Sequence, residues 1–307
     1  MKTVAIIVLN WKTAELTINT INSLKKIEHK IFKYHIYLIE NGSPDNSLTI
    51  LKNKFSKDPL ITIIPLSVNL GFAGGNNIGI QAALKRPYDY LLLINSDVIV
   101  DTQFLTQLLN SAAKHQDVGL IGPKIYFASG YEFHKDRYLR EELGHVIWSI
   151  GSKMDWNNIY GSNLGIDEVD RGQYETFNSN LEFISACCIL IIPEVIKYTG
   201  LMSSDYFMYY EDNDFCQRIR SAGFKIALDP SAKIWHLNSG SNEAGGGSLH
   251  DYFLTRNRLI FGFKYAKLRT KFALFRDTIR TIFTGTPWQK RGVIDFYLRK
   301  FGKGSWQ

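Results

Sequence analysis

The feature that most constrains the fold is an alternation of strand and helix patterns through the first part of the chain. Residues 4–9 are an unbroken run of aliphatic, largely β-branched side chains, typical of a strand buried on both faces. Further strand patterns occur at 35–39, 60–65 and 88–94, and helical patterns at 13–26 and 101–115. This order predicts an α/β fold with a mostly parallel sheet and right-handed crossovers.

The second part of the chain is less regular. We expect loops with short antiparallel strands at residues 128–180 and a buried strand at 183–192. A helix at 212–222, closed by Gly223, precedes two short strands at 224–228 and 232–236 and a polar loop at 238–248. A basic, aromatic helical pattern follows. The sequence therefore predicts one domain over residues 1–248 and a C-terminal helical extension over 249–307.

Charge and composition limit the class of protein. The net charge is +7, but thirteen Lys and Arg against three Asp and Glu from residue 249 onward give +10 there and −3 before it. Hydrophobic residues at 45% and charged residues at 21% are ordinary values for a globular protein and argue against a disordered chain. Three cysteines without metal-binding spacing favour a reducing cytosol over a disulfide framework or zinc site. We find neither a secretory signal nor an apolar run of about 18 residues, so we expect no membrane span.

Polar residues follow the predicted strands where those strands end. Asn10, Glu40, Asn69 and the segment 95–97 all lie at such positions. Ligands of open α/β sheets bind at the carboxyl ends of the strands. Asp97 could hold Mg²⁺ or Mn²⁺, which prefer oxygen ligands, or it could cap a following helix.

A glycine-rich segment lies between the third and fourth predicted strands. Four glycines occur within nine positions, and two asparagines stand beside them: Gly71, Gly74, Gly75, Gly79, Asn76 and Asn77. As a loop before a helix, this segment would allow backbone amides to approach an anionic or polar ligand. It matches neither GxGxxG nor GxxxxGK[ST]. The alternative is a turn that packs the helix closely on a strand.

An acidic cluster follows an aromatic run. Glu211, Asp212 and Asp214 open a predicted helix, where the helix dipole favours acids in any case. An apolar wall can raise the pKa of such a carboxyl toward the useful range of a general base. Arg218 stands one turn after Asp214 and could pair with it. His236 ends a short strand and is either a structural histidine or a metal ligand.

In their order along the chain, these motifs resemble those of the family 2 glycosyltransferases with a GT-A fold. Among them the chain is most similar to the rhamnosyltransferase-like members that build bacterial surface polysaccharides. The resemblance covers about residues 3–265. It rests on IIVLNW, IENGSPDNS, NLGFAGGNNIGI, LLLINSDV, GLMSSDYFMYYEDNDFCQRIRSAGFKI, and IWH followed by DYFLTRNRL.

This resemblance implies a nucleotide-binding half over about residues 1–125 and an acceptor half over about 126–248. It implies a donor nucleotide bound near residues at the strand ends, in the glycine segment and in the extension: Asn10, Glu40, Asn69, Gly71, Phe72, Gly74, Gly75, Asn76, Asn77, Asn95, Ser96 and Arg256.

The resemblance also implies a divalent ion, Mn²⁺ or Mg²⁺, held by Asp97 as the last acid of the family's DxD element and by His236. Asp212 would be the catalytic base, and Glu211 and Trp235 would lie on the acceptor side. The implied reaction is one in-line displacement that inverts the anomeric configuration of a dTDP- or UDP-sugar, with dTDP-L-rhamnose as the best single donor.

The chain departs from the family pattern at three places. Asn95 replaces the first acid of the DxD element, so metal binding rests on fewer carboxylates. Glu40 stands where Asp is commoner, and Ser203 and Ser204 stand where acids often precede the aromatic run. Contacts to the ribose and to the acceptor are where we expect differences.

The basic extension has two interpretations. Amphipathic helices could contact an anionic leaflet, which suits a peripheral enzyme at the cytoplasmic face of the membrane acting on a polyprenyl-diphosphate-linked or other glycan acceptor. Alternatively, the helices pack on the domain and their charges are solvated. No nucleic-acid recognition motif is present. A nucleotidyltransferase would need a basic glycine-rich element near the first strand, which is lacking. A degenerate binding protein would bind nucleotide without turnover or donor hydrolysis.

Overall fold

The computed structural model describes residues 1–238 and 247–306. The strands in chain order are β1 (Lys2–Asn10), β2 (Phe32–Glu40), β3 (Ile61–Pro65), β4 (Tyr90–Asn95), β5 (Val98–Val100), β6 (Val118–Phe127), β7 (Ile147–Ser149), β8 (Ser152–Asp155), β9 (Tyr160–Asn163), β10 (Cys188–Ile191) and β11 (Lys225–His236). Within the described residues all except β8 and β9 join one nine-stranded sheet, in the order β3-β2-β1-β4-β10-β6-β11-β5 with β7 on β6. Strands β8 and β9 pair as a separate hairpin.

The predicted parallel half of the sheet is confirmed. Strand β1 pairs in parallel with β2 and β4, and β2 pairs in parallel with β3. Side chains of β1 alternate between two cores, with Val4 and Ile6 on one side and Ala5 and Ile7 on the other, all fully buried. This double burial explains why the run of residues 4–9 is apolar without interruption.

Helices cover both faces of this sheet and build the extension. They are α1 (Ala14–Leu24), α2 (Ser47–Phe55), α3 (Gly71–Ala83), α4 (Phe104–Lys114), α5 (Pro193–Thr199), α6 (Glu211–Ser221), α7 (Ser248–Tyr265), α8 (Leu268–Thr284) and α9 (Pro287–Tyr297). The glycine segment predicted as a loop is instead the first half of α3. A Cβ atom on Gly79 would lie 2.4 Å from the Ile7 side chain, so the glycines permit close contact between this helix and β1.

Two strand predictions in the second half need correction. The buried strand expected at 183–192 is the shorter β10. The residues before it lie outside the strand: Phe183 forms a single bridge with Ser152, and the backbone N–H of Ala186 donates to the Asp212 carboxylate. The two strands expected at 224–228 and 232–236 are one strand, β11. Its pairing with β6 shifts register between Asp229 and Lys233, which is the interruption that the sequence pattern indicated.

The extension is packed against the rest of the chain through α7, which shares a core cluster with Phe207, and α9 packs in turn on α7. Tyr252, Phe253 and Arg256 of α7 are fully buried, and so is Asp295 of α9, which accepts a hydrogen bond from the Tyr252 hydroxyl. Across the described residues, no helix is both long and apolar enough to cross a bilayer. The polar loop predicted at 238–248 lies mostly outside the described residues, which resume at Gly247, just before α7 begins.

Candidate active site

A cavity of about 400 Å³ lies beside the carboxyl end of β4. It is bounded by the end of β4, the start of α3, the β9 strand, the segment before β10, and the start of α6. Its lining includes Phe72, Asn95, Tyr160, Ser185, Ala186, Tyr209, Tyr210, Glu211 and Asp212. The structure therefore brings together four residues that the sequence predicted for the donor, catalytic and acceptor positions, and it does so at the expected edge of the sheet.

A strained aromatic turn leads into the acids of this cavity. Phe207, Tyr209 and Tyr210 have φ angles of 65°, 65° and 70°, in the left-handed region that side chains with a Cβ disfavour. Each such residue costs about 1–3 kcal/mol and persists only where surrounding contacts impose it. Tyr210 directly precedes α6, so the conformation of this turn fixes where Glu211 and Asp212 enter the cavity.

Two buried residues of α7 impose that conformation. The Asn257 amide donates to the carbonyl oxygens of Tyr206, Met208 and Tyr209 at 2.8, 2.7 and 2.9 Å. Arg256 donates to the carbonyls of Asp205 and Tyr206 at 3.3 and 3.1 Å. The guanidinium was predicted to contact the donor diphosphate. It is fully buried in protein hydrogen bonds, so in this structure it holds the turn from behind and does not face the cavity.

The start of α3 supports the same turn from the other side. Gly71 has a φ of 76°, and a Cβ there would lie 2.3 Å from the carbonyl oxygen of Phe207. That carbonyl accepts a hydrogen bond of 2.6 Å from the N–H of Phe72. Glycine is therefore required at position 71 both for the backbone angle and for the close approach of the two segments.

Glu211 and Asp212 differ in their surroundings. Glu211 is 6% exposed, and its Oε2 is buried without a hydrogen-bond partner among the described residues. Burial, with a smaller contribution from the Asp212 charge, raises the pKa of Glu211 well above its usual range. Burial also raises the pKa of Asp212, although its carboxylate accepts hydrogen bonds from the backbone N–H groups of Asn213 and Ala186. A carboxylate made more basic in this way is a better proton acceptor near neutral pH.

Asp214, the third acid of the cluster, is structural. It is fully buried and binds Arg218 and Lys264 at 2.8 and 2.7 Å, as well as the hydroxyls of Tyr206 and Tyr265. These partners lower the pKa of Asp214 against the opposing effect of burial, which is the larger single influence. The pairing with Arg218 that the sequence suggested is therefore present within α6, and the contacts of Asp214 with Lys264 and Tyr265 anchor α6 to α7.

The two predicted metal ligands lie side by side. Asp97 follows β4 in the turn to β5, and its Oδ1 is 3.2 Å from Nε2 of His236 at the end of β11. The helix-cap alternative for Asp97 does not apply, because a strand and not a helix follows it. Nδ1 of His236 is buried without a hydrogen-bond partner in the part of the chain that the structure describes.

This pair fits a divalent ion that is shared with a substrate. The described residues contain no group of three or more His, Cys, Asp or Glu arranged to hold a metal. One carboxylate and one imidazole would leave most coordination positions to diphosphate oxygens and water, which is how Mg²⁺ and Mn²⁺ are commonly held at nucleotide sites. The two residues alone would not form a closed structural metal site.

Residues at the ends of β1 and β2 are buried beneath the sheet edge. Asn10 and Glu40 are 0% and 1% exposed, and a hydrogen bond of 3.5 Å joins Asn10 Nδ2 to Glu40 Oε1. Glu40 also accepts from the backbone N–H of Ser43 at 3.0 Å. The Ser96 hydroxyl lies 3.1 Å from that of Thr13. These contacts order the loops at this edge, and little of Asn10 or Glu40 is open to a ligand.

Most of the predicted donor residues in the glycine segment have packing roles. Asn69 accepts hydrogen bonds from Gly71 N–H and from the Asn41 amide, and Asn41 was not predicted. Asn77 exchanges hydrogen bonds with the backbone of Met202, and the Asn76 amide donates to the Phe72 carbonyl. The helical glycines at 74 and 75 leave no room for a Cβ, which would lie 2.8 Å from Leu70 and 2.4 Å from Leu9 respectively. Phe72 is the member of the segment that lines the cavity.

Other site residues are placed differently from prediction or were missed. Trp235, predicted for the acceptor side, is stacked on Tyr126 and donates its indole N–H to the Gly144 carbonyl, so it does not line the cavity. Tyr160 and Ser185 line the cavity but were not predicted. They come from a hairpin and a loop whose positions no local sequence pattern indicates.

Comparison with known proteins identifies the family. The model of the family described as "Glycosyl transferase family 2" matches residues 3–167, which is more than half of the chain. The chain belongs to that family. The match includes the strand ends, the α3 segment and Asp97, but stops before the turn that carries Asp212.

Individual relatives are distant. An N-acetylglucosaminyl-diphospho-decaprenol L-rhamnosyltransferase of Mycobacterium tuberculosis is 24% identical over 213 residues, which are 66% of this chain and 66% of that protein. A dTDP-rhamnosyl transferase, RfbF, of Shigella flexneri is 22% identical over 61% of this chain and 55% of its own. The chain thus spans between about half and two thirds of the length of these relatives.

The fold is that of the GT-A glycosyltransferases. A crystal structure of GalNAc-T7 with UDP, GalNAc and Mn²⁺ superimposes with a TM-score of 0.62 at 15% identity, and it covers 76% of this chain and 43% of that one. At this identity the likeness establishes the fold and not the substrate.

Proposed function

We propose that the protein is an inverting, divalent-metal-dependent glycosyltransferase of cell-surface polysaccharide synthesis. It would move a sugar from a nucleoside diphosphate donor to a hydroxyl of a glycan or lipid-linked acceptor. The observation that carries the proposal is the Asp212 carboxylate, made more basic by burial and placed in the cavity beside β4. Membership of family 2 supports sugar transfer as the reaction.

In the proposed reaction Asp212 accepts the proton of the acceptor hydroxyl. The acceptor oxygen attacks the anomeric carbon while the bond from that carbon to the diphosphate oxygen breaks, and the nucleoside diphosphate leaves with the electron pair. One displacement of this kind inverts the anomeric configuration and needs no covalent nucleophile on the protein. Glu211, on the acceptor side, would donate a hydrogen bond to the acceptor in its protonated form, which its raised pKa favours.

Asp97 and His236 would hold the divalent ion. When bound, such an ion neutralises the charge that develops on the departing diphosphate. The neighbouring Asn95 stands where a second acid would be expected, and it lines the same cavity as Asp212. Support for a metal comes from the pair's spacing and from the Mn²⁺ in the structure of GalNAc-T7.

The donor we favour is dTDP-L-rhamnose. Its support is the activity for which the two relatives are named, an L-rhamnosyltransferase and a dTDP-rhamnosyl transferase. The UDP in the GalNAc-T7 structure keeps a UDP-hexose as the alternative. In the proposed division, residues 1–125 bind the nucleotide and residues 126–248 the acceptor. A diphospho-polyprenol acceptor, as the name of the first relative suggests, would require the enzyme to work beside the cytoplasmic face of the membrane.

The test combines nucleotide binding with turnover. Calorimetry with dTDP, UDP, GDP, ADP and CMP, each with Mn²⁺ and with EDTA, should show metal-dependent binding with a preference for dTDP or UDP. Asp212→Asn should keep that binding and lower kcat by roughly 10²–10⁴-fold, because it removes the proton acceptor and little else.

Glu211→Gln is the matched control, since it changes the adjacent acid of the same cavity. We expect a smaller effect on kcat than for Asp212→Asn. Full activity of Asp212→Asn would refute the assignment of the base. Nucleotide binding without turnover or donor hydrolysis in the wild-type protein would instead indicate a degenerate transferase that only binds.

A further inference from the structure

Helix α8 carries its large apolar side chains on the outside of the molecule. Six of them are exposed, by 38–77% of their surface: Leu268, Phe272, Phe275, Ile279, Ile282 and Phe283. Their spacing places them within an arc of about 100° on one side of the helix. The positions that face the protein are Thr270, Leu274 and Thr278, which are buried. The helix is therefore amphipathic, but most of its apolar surface points away from the core.

These six side chains form a continuous apolar row along α8, which differs from isolated exposed apolar residues. Single exposed residues are ordinary on protein surfaces, whereas a contiguous apolar patch marks a surface that another body covers. Segment 239–246 has the sequence SGSNEAGG, which contains no large apolar side chain that could pack on these residues.

The charges beside the apolar row indicate which kind of partner surface would cover it. Arg269, Arg276 and Arg280 are exposed and lie within about 60° of the edge of the apolar arc. Asp277 is the single acid in α8, and it is turned toward the protein, where its carboxylate pairs with Arg258 of α7 at 2.6 Å. The outer side of α8 is therefore apolar and cationic, since the Asp277 carboxylate, although 39% exposed, lies on the other side of the helix and is neutralised by Arg258.

We propose that α8 docks on an anionic lipid surface, with its apolar row in the headgroup and acyl boundary and its arginines on the lipid phosphates. This is the charge and shape pattern of helices that lie in the plane of a membrane interface. A second copy of the chain is a poorer occupant. A symmetric contact through α8 would place the same arginines of both copies against each other without compensating acids.

The proposal names the partner surface of the extension and does not depend on the transferase reaction. It concerns α8. Helix α9 also exposes Ile294 and Tyr297, by 39% and 49%, but its buried Asp295 ties it to Tyr252 of α7. Vesicle binding without any substrate therefore tests it separately from catalysis.

The experiment is sedimentation of the full chain with vesicles of phosphatidylcholine alone or with roughly 30 mol% phosphatidylglycerol. Phe272→Ser with Phe283→Ser removes the two most exposed aromatic side chains of α8 that lie within the row. The matched control is Tyr198→Ser, which removes an aromatic side chain that is 67% exposed on α5. All variants change exposed positions, so thermal unfolding should match that of the wild type.

We expect the wild-type protein and Tyr198→Ser to bind the anionic vesicles, and the α8 double variant to bind with a partition coefficient at least about tenfold lower. Arg276→Glu with Arg280→Glu should weaken binding similarly and remove its dependence on phosphatidylglycerol. Wild-type binding to neither vesicle, or equal binding by the α8 variants, would overturn the proposal. Wild-type dimers that the double variant converts to monomers in solution would assign the row to a second copy and would also overturn it.

Discussion

Asn257 and Arg256 of α7 hold the aromatic turn like a clamp, through hydrogen bonds to its carbonyl oxygens. This clamp allows a quantitative test of how the extension contributes to catalysis. Asn257→Ala removes the amide that donates to the carbonyls of Tyr206, Met208 and Tyr209. Arg256 still donates to the first of these, so two carbonyls lose the donor that the structure gives them. A buried acceptor left unpaired costs about 1–3 kcal/mol, so the free energy of unfolding should fall by about 3 kcal/mol.

The same substitution should lower kcat by more than the loss of folded protein alone would explain. Without the amide, the strained residues of the turn can relax toward ordinary φ values, and Asp212 moves with the start of α6. A shift of about 1 Å in a reacting group can cost roughly 10²-fold in rate. We expect kcat to fall by at least about tenfold while the affinity for nucleotide stays within about twofold of the wild type.

Urea unfolding and steady-state release of nucleoside diphosphate measure the two effects. Leu274→Ala is the matched control, because it truncates a side chain that is 1% exposed in the same extension and should cost about 2–5 kcal/mol without touching the turn. Equal values of kcat for Leu274→Ala and Asn257→Ala would refute the clamp as a positioning device. So would an Asn257→Ala variant that loses stability but keeps wild-type kcat.

The metal pair, the acid pair and the packing of α3 can each be tested by one change. Asp97→Ala should abolish the difference in nucleotide affinity between Mn²⁺ and EDTA in calorimetry, and a persisting difference would exclude Asp97 as a ligand. Because the pKa of Glu211 is raised in the folded state, the stability that its protonated form contributes is complete below the usual value near 4.5 and is lost as pH rises through the folded pKa. Glu211→Gln should remove this fall in unfolding free energy with pH, and an unchanged slope would contradict the assignment. For Asp212 the raised pKa should move the acidic limb of kcat/KM above 3.8, and a limb at or below that value would argue against it as the base. Gly79→Ala should lower the free energy of unfolding by about 1–3 kcal/mol in urea titrations, because its Cβ would overlap a β1 side chain, whereas a neutral change would mean that α3 can shift.

The parallel half of the fold could be predicted because its cause is local. A strand buried on both faces must be apolar at every position, and residues 4–9 and 90–94 show that pattern without any knowledge of their neighbours. The polar residues that end these strands then mark the ligand edge by topology alone. The proximity of Asp97 and His236, by contrast, could be predicted only through the family resemblance, because no local pattern relates β4 to β11.

The glycine segment shows where local reasoning fails. Several closely spaced glycines predict a loop, because glycine weakens a helix by about 1 kcal/mol per residue. In the structure the segment is helical, since the absence of Cβ atoms at 75 and 79 lets α3 lie against β1 and bury its apolar side chains there. Tertiary packing outweighs helix propensity in this case. The choice between a ligand loop and a packing helix depends on a neighbour that the segment's own sequence does not reveal.

The extension illustrates the same limit for polar residues. Arg256 and Asn257 belong to a basic, aromatic stretch, and an arginine in such a stretch is equally suited to a diphosphate or to a row of backbone carbonyls. The aromatic turn decides between them. Three residues with positive φ before α6 leave carbonyl oxygens that need donors, and α7 supplies them from buried positions. Helix α7 thus stabilises the turn that positions the acids of the cavity, whereas α8, in the same basic stretch, presents its apolar side chains outward. A single basic, aromatic pattern in the sequence therefore covers one helix that packs inward and one that exposes its apolar side chains, and only the burial of the individual residues distinguishes them.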